Sequence, residues 1–165
     1  MYKKVSVICF LIIFSGITVW LYLNSSSKDR FPLGSNMPSF TFRSISGVKS
    51  IAKDPNKKIM IVLFSLNCAH CKAFLADLDK NISKFKDTGI YLFAQEERIF
   101  DIMKSHTNKT YLSLGSSGNV QFGFFSLDGS RDKFKTSAVP SIFVFENNKL
   151  IKKFNGSPSI NRVLN

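Results

Sequence analysis

An uninterrupted apolar run just ahead of a cysteine pair constrains the fold more than any other part of this chain. Residues 59–64 read Ile-Met-Ile-Val-Leu-Phe, and only three residues separate them from Cys68. Such a run is typical of a strand that is buried on both faces, as in the middle of an α/β sheet. From Cys71 to Phe85, apolar residues recur at every third or fourth position, which predicts an amphipathic helix of about five turns.

Strand and helix patterns alternate through the rest of the chain. Strands are predicted at residues 40–42, 90–94, 120–127, 142–145 and 150–154, and helices at residues 99–103, at 132–136 and after Ser157. Residues 111–114 are compatible with a further short strand, Asp128-Gly129 with a turn, and Asn147-Asn148 with a hairpin turn. Because this order mixes β-α-β units with a hairpin, we predict the α/β class, with a central mixed sheet flanked by helices.

The N-terminal segment predicts a membrane anchor. Lys3 and Lys4 precede an uncharged, mostly apolar run of 19 residues at positions 5–23. At about 1.5 Å per residue, a helix of this length spans the hydrocarbon core of a bilayer. A secretory signal peptide has a shorter apolar region and a small-residue cleavage site, so the sequence favours an uncleaved anchor. Cleavage within residues 24–27 is the alternative.

The anchor sets the expected placement of the remaining chain. Since basic residues near a membrane span tend to stay in the cytoplasm, Lys3 and Lys4 predict a domain in the periplasm or extracytoplasmic space. We therefore expect a signal anchor at residues 1–24, a polar tether at 25–33 and one domain at 34–165. The net charge of +12 reflects scattered lysines without the basic stripe of a nucleic-acid binder, so no nucleic-acid partner is expected.

The predicted chemistry is concentrated in the Cys68-x-x-Cys71 pair. A cysteine at the start of a helix lies beside unpaired backbone N–H groups and the positive end of the helix dipole, which favour the thiolate. We therefore predict that Cys68 attacks disulfides and that Cys71, one turn further on, resolves the mixed disulfide. His70 lies between them, where its charge or N–H group would further stabilise the Cys68 thiolate; an exposed side chain without a role is the alternative.

Residues 34–165 resemble the thioredoxin-like fold, and within it the membrane-anchored TlpA/ResA-type thiol–disulfide oxidoreductases. The matching segments are residues 34–40, the strand residues 61–64, the motif Cys68-Ala69-His70-Cys71-Lys72, and Ala138-Val139-Pro140-Ser141-Ile142-Phe143. The resemblance implies a three-layer sandwich in which the Val139–Pro140 bond is cis and Pro140 faces the cysteine pair. It also implies that the backbone of Val139 pairs with a substrate peptide as an added strand.

The chain departs from this family at two positions near the motif. The family usually has Trp immediately before the first cysteine, where this chain has Asn67, which we expect to contact substrate. Thioredoxins carry a buried Asp, a proton acceptor, six residues before that cysteine, and here the position is Val62. Glu96 or Glu97 at the end of the neighbouring strand could replace it, although the sequence favours solvated helix-start residues for both.

Together these features predict a membrane-tethered, extracytoplasmic thiol–disulfide oxidoreductase that acts on exported proteins. The family implies a membrane thiol-transfer protein as redox partner and exported proteins or apocytochromes c as substrates. No cofactor is expected, because the cysteine sulfurs carry the electrons. The Ala69-His70 pair resembles the more oxidising members of the family, so reduction, oxidation and isomerisation all remain open.

Other functions fit the same residues less well. A zinc site is disfavoured because His70 lies between the two cysteines and the sequence has no second C-x-x-C pair. A peroxidase of the P-x-x-x-T-x-x-C type would need Pro and Thr where this chain has Ile61 and Ser65. A non-enzymatic, membrane-tethered binding module with a thioredoxin fold stays open as the alternative.

Overall fold

The computed structural model describes residues 13–20, 31–51 and 57–165. The chain divides into two units, Met1–Arg30 and Phe31–Asn165. In the first unit, residues 13–20 are helical and exposed. Among the described residues, no helix has both the length and the apolar character that crossing a membrane requires. Most of the predicted anchor (residues 1–24) and of the predicted tether (residues 25–33) lies outside the described residues.

The second unit is built on a mixed sheet. Its strands are β1 (Thr41–Ser44), β2 (Gly47–Ser50), β3 (Lys58–Phe64), β4 (Thr88–Ala94), β5 (Val120–Phe124), β6 (Ser141–Glu146) and β7 (Lys149–Asn155). They are ordered β2-β1-β5-β4-β3-β6-β7. The pairs β3–β4 and β4–β5 are parallel, and the others are antiparallel. The predicted mixed α/β sheet is therefore confirmed.

Helices cover both faces of this sheet. They are α1 (Ala69–Lys80), α2 (Ile99–Lys104), α3 (Lys109–Gly115), α4 (Leu127–Phe134) and α5 (Ile160–Leu164), with a 3₁₀ turn at Ile82–Phe85. Val62 and Phe64 of β3 face a core shared with α1, α2, α3 and α5, whereas Ile61 and Leu63 face a second core that includes Phe134 of α4. Because successive strand residues point to opposite faces, β3 is buried on both sides, as its apolar run predicts.

Side-chain caps explain where the observed helices differ from the predicted ones. Residues 111–114 belong to helix α3 and are not a strand, because the Asn108 side chain accepts a hydrogen bond from Tyr111 N and caps the helix. The predicted strand over residues 120–127 ends at Phe124, and Asp128-Gly129 lies inside α4 and is not a turn. The reason is that Ser126 Oγ accepts a hydrogen bond from Gly129 N and starts that helix.

Helix α1 is shorter than the apolar spacing predicts. It ends at Lys80 after 12 residues, and the apolar positions continue through the 3₁₀ turn to Phe85. Asn81 ends the helix in a non-helical conformation, with its Nδ2 donating to the backbone oxygen of Asp77 at 2.8 Å. The spacing therefore identified the buried face correctly, but it did not identify the end of the helix.

Candidate active site

The sheet topology places three connecting segments at one end of the central strands. Strands β3 and β4 are parallel with Phe64 opposite Ala94, so the residues after both strands leave the sheet together. Strand β6 runs antiparallel to β3 with Ser141 opposite Leu63, so the residues before β6 arrive at the same place. The cysteine pair, the segment after β4 and the proline loop therefore meet at this end.

The two cysteines occupy different environments. Both are reduced; Cys68 is half-buried, whereas Cys71 has no exposed surface. Cys68 is the N-cap residue of α1, and its Sγ accepts a hydrogen bond from Cys71 N at 3.2 Å. Negative charge on Cys68 Sγ would therefore lie beside a backbone donor at the positive end of the helix dipole.

Cys71 is held in its protonated form. Burial is the largest of the effects that raise the pKa of its thiol to about 12, and a hydrogen bond with the Cys68 side chain adds to it. The negative charges of Cys68 and Glu96 raise this pKa further, while a hydrogen bond with the backbone of Ser65 lowers it. At neutral pH the buried sulfur therefore keeps its proton, and the partly exposed sulfur is the one that an outside molecule can reach.

The proline loop lies directly against Cys68. The Val139–Pro140 peptide bond is cis, which agrees with the geometry that the family resemblance implies. Val139 is half-buried and Pro140 is buried, and Cys68 Sγ lies 3.8 Å from Val139 O. The structure thus brings Cys68, Cys71, Val139 and Pro140 together.

Two buried hydroxyl groups hold this loop, and neither was predicted from the sequence. Ser141 Oγ donates to Ala138 O at 2.8 Å, and Ala138 N donates to Thr136 Oγ1 at 3.2 Å. Thr136 and Ser141 are almost fully buried, where a hydroxyl group needs a hydrogen-bond partner. The sequence signal that could have identified these two residues is their position, since Thr136 and Ser141 lie close on either side of Val139-Pro140.

Glu96 is part of the site, contrary to the solvated helix-start interpretation that the sequence favoured. Its carboxylate accepts hydrogen bonds from Ser65 Oγ at 2.5 Å and from Leu66 N at 3.0 Å, just before the cysteine motif. Glu97 does match that interpretation, because it is exposed and forms an ion pair with Arg43 at 2.7 Å. Only one of the two acidic residues therefore reaches the cysteine segment.

Asn67 and His70 line the exposed rim of the site. Asn67 precedes Cys68, and its Oδ1 accepts a hydrogen bond of 3.4 Å from Arg98 Nη2. His70 is exposed in the first turn of α1, whereas the neighbouring Cys71 is buried. Among the described residues, no three His, Cys, Asp or Glu side chains come close enough together to hold a metal ion.

Comparison with known proteins supports the fold. No protein-family model and no curated protein matches this chain. Among solved structures, it is similar to a Chlorobium tepidum protein described as thiol:disulfide interchange protein DsbE, with a TM-score of 0.63 and 13% identity over 81% of this chain and 92% of that one. It is also similar to a thiol:disulfide interchange protein from Bacteroides sp., with a TM-score of 0.60 and 19% identity over 81% and 88% of the two chains.

Peroxiredoxin-like proteins share the same architecture. One from Aquifex aeolicus matches with a TM-score of 0.60 and 11% identity, over 82% of this chain and 85% of that one. At identities this low, a shared fold does not carry a shared activity. The mixed sheet with its flanking helices, together with these matches, identifies the Phe31–Asn165 unit as a thioredoxin-like fold.

Proposed function

We propose that this chain is a thiol–disulfide oxidoreductase in which Cys68 is the nucleophile and Cys71 is the resolving cysteine. The observation that carries the proposal is the difference between the two sulfurs. One is partly exposed beside a backbone donor, and the other is fully buried with its pKa raised to about 12, mainly by burial. A thiolate and not a thiol attacks a disulfide, so only the accessible sulfur can start the reaction.

The reaction has two exchanges. The Cys68 thiolate attacks one sulfur of a substrate disulfide, forms a mixed disulfide and releases the other substrate sulfur as a thiolate. Cys71 then loses its proton and attacks Cys68 Sγ, which forms the Cys68–Cys71 bond and releases the second substrate sulfur. In the reverse direction, the oxidised pair transfers its disulfide to a substrate that carries two thiols.

The proline loop offers a place for the substrate backbone. We assign Val139 to substrate binding, because its carbonyl group lies 3.8 Å from the reactive sulfur. Pro140, which follows it across the cis peptide bond, is assigned to the catalytic site. An extended peptide that pairs with this backbone would bring its cysteine to Cys68. Asn67 lies beside Cys68 on the exposed rim, where its amide group can contact the same peptide.

We also propose that the chain is tethered to a membrane through residues 5–23, with the redox domain outside the cytoplasm. The length and apolar character of this run, and the lysines before it, support the proposal. The substrates would then be exported proteins, and a membrane thiol-transfer protein would supply or remove electrons. Labelling of Cys68 in intact cells by a membrane-impermeant maleimide supports this location, whereas labelling only after lysis contradicts it.

Covalent trapping tests the enzyme assignment. Cys71→Ser should accumulate mixed disulfides with protein substrates, because the first exchange proceeds and the second cannot. Cys68→Ser is the matched control and should trap nothing, because it lacks the attacking sulfur. Non-reducing gels followed by mass spectrometry identify the adducts. If Cys71→Ser captures no covalent partner and the wild type does not reduce insulin, the chain is instead a binding module.

A further inference from the structure

The second exchange needs a group that takes the proton of Cys71, and the strand beneath α1 does not supply one. Val62 on β3 is fully buried and packs in the same core as Cys71. An apolar side chain cannot accept a proton. The pKa of the Cys71 thiol, raised to about 12 mainly by burial, leaves almost none of it ionised at neutral pH. The buried sulfur is therefore a poor nucleophile until another group removes its proton.

Ser65 lies beside both Cys71 and a carboxylate. A hydrogen bond from the Ser65 backbone to Cys71 lowers the pKa of that thiol, which is the effect of an N–H donor on sulfur. The Ser65 hydroxyl donates to Glu96 Oε1 at 2.5 Å. The second carboxylate oxygen, Oε2, accepts from Leu66 N at 3.0 Å, which fixes the carboxylate against the segment before Cys68. Two hydrogen bonds thus hold the Glu96 side chain beside the residue that contacts the thiol.

The charges around Cys71 are consistent with this placement. Cys68 and Glu96 both act on Cys71 through their negative charge. Tyr111 of α3 is 3% exposed, and burial followed by the charges of Cys71 and Glu96 raises the pKa of its phenol. The Tyr111 hydroxyl therefore stays protonated and cannot be the acceptor. The basic side chain of Lys72 lies on the exposed side of α1.

We propose that Glu96 accepts the proton that leaves Cys71 Sγ during the second exchange, an inference that rests on the proposed function. The electron pair of the Cys71 S–H bond forms the bond to Cys68 Sγ, and the proton passes to the Glu96 carboxylate. The Cys68–substrate S–S bond breaks, and the substrate sulfur leaves with that bond's electron pair as a thiolate. Glu96 then returns the proton to solvent, so that atoms and charge balance.

Glu96→Gln separates this role from a purely electrostatic one. Loss of the negative charge lowers the pKa of Cys71 and increases its thiolate fraction, so an electrostatic role alone predicts a faster second exchange. Loss of a proton acceptor predicts a slower one, by about 10²-fold at neutral pH. The two roles therefore change the rate in opposite directions.

A stopped-flow reaction of the reduced full chain with 5,5′-dithiobis(2-nitrobenzoate) resolves the two exchanges. Attack by Cys68 releases the first nitrothiobenzoate, and resolution by Cys71 releases the second. We expect Glu96→Gln to slow the second release and to leave the first unchanged. Glu97→Gln is the matched control and should alter neither, because Glu97 pairs with Arg43 at the surface. Glu96→Asp, which keeps a carboxylate, should restore part of the second rate.

The possible results are distinct. An unchanged or faster second release in Glu96→Gln overturns the role of Glu96 and leaves the proposed function intact. No second release in the wild type overturns the proposed function itself. If Glu96→Gln does not fold, the solvent deuterium isotope effect on the wild-type second release decides the matter. We expect a slowing in deuterium oxide that is confined to this phase, and its absence would contradict proton transfer to Glu96.

Discussion

At the scale of single residues, the environment of each sulfur determines what it does. Cys68 was recognisable from the sequence, because a cysteine that opens a helix directly after a buried strand is typical of a reactive thiol. The resolving role of Cys71 was predicted from its position three residues after Cys68. The role of Glu96 could not be predicted, because its contacts with Ser65 and Leu66 span 31 and 30 residues of sequence and form only through the pairing of β3 with β4. An acidic residue between a strand and a helix is also typical of an ordinary helix start, so the sequence pattern alone did not distinguish the two interpretations.

Alkylation should distinguish the two sulfurs. In Cys68→Ser, we expect Cys71 to react slowly with iodoacetamide at pH 8 and about tenfold faster for each added pH unit. The increase should continue well above pH 9, because burial, the largest of the effects that raise the pKa of Cys71, remains in this variant while the effects of Cys68 are lost. Mass spectrometry of timed samples gives the rate. The same variant unfolded in urea is the control, and a rate that levels off near pH 9 in the folded protein contradicts the burial argument.

At the scale of elements, the sequence did not predict the short helices, or the close contacts between neighbouring strands. Helices α3 and α4 are capped by Asn108 and Ser126, and each has fewer than nine residues, too few to give a clear periodic pattern. The longer α1 and the buried β3 were predicted, because α1 has apolar residues at every third or fourth position and β3 has an unbroken apolar run. Caps formed by a single side chain therefore account for most of the differences between the predicted and the observed ends of the helices and strands.

Gly123 on β5 should tolerate no side chain. A Cβ atom there would lie 2.5 Å from Phe42 Cδ2 and 3.0 Å from both Arg43 O and Phe93 Cδ1. We expect Gly123→Ala to reduce the free energy of unfolding by about 1–3 kcal/mol, since the core must move to relieve the overlap. Urea denaturation measures the change. Gly118→Ala is the control, because a Cβ there meets no heavy atom within 4 Å, and equal stability of the two variants would refute the packing argument.

At the scale of the whole molecule, Phe31 packs against the thioredoxin-like unit, although the sequence predicts a domain that begins at residue 34. This compact unit starts at Phe31, inside the predicted tether. The Phe31 ring centroid lies 5.9, 6.0 and 6.3 Å from those of Phe134, Phe143 and Phe145. The sequence did not indicate this, because a single Phe after a polar stretch has no periodic neighbours. The sheet and the cysteine end of the fold were nevertheless predictable from local patterns.

Truncation should reveal this boundary. We expect a chain of residues 31–165 to unfold with a free energy about 1–3 kcal/mol greater than that of a chain of residues 34–165, because the shorter chain lacks the Phe31 ring. Chemical denaturation followed by circular dichroism compares them. Leu33→Ala in the longer chain is the control, since Leu33 is 65% exposed. Equal stability of the two chains would mean that Phe31 adds nothing to the core.

The hydrogen bond of 3.2 Å between Cys71 N and Cys68 Sγ also bears on oxidative damage. A peroxide that reaches Cys68 converts the sulfur to sulfenic acid, and a second equivalent carries it to the irreversible sulfinic form. With another thiol one helical turn away, the sulfenic acid condenses to a disulfide and expels water first. We therefore expect the buried cysteine to protect its neighbour from permanent inactivation, and a variant without Cys71 to lose the Cys68 thiol to peroxide faster than the wild type does.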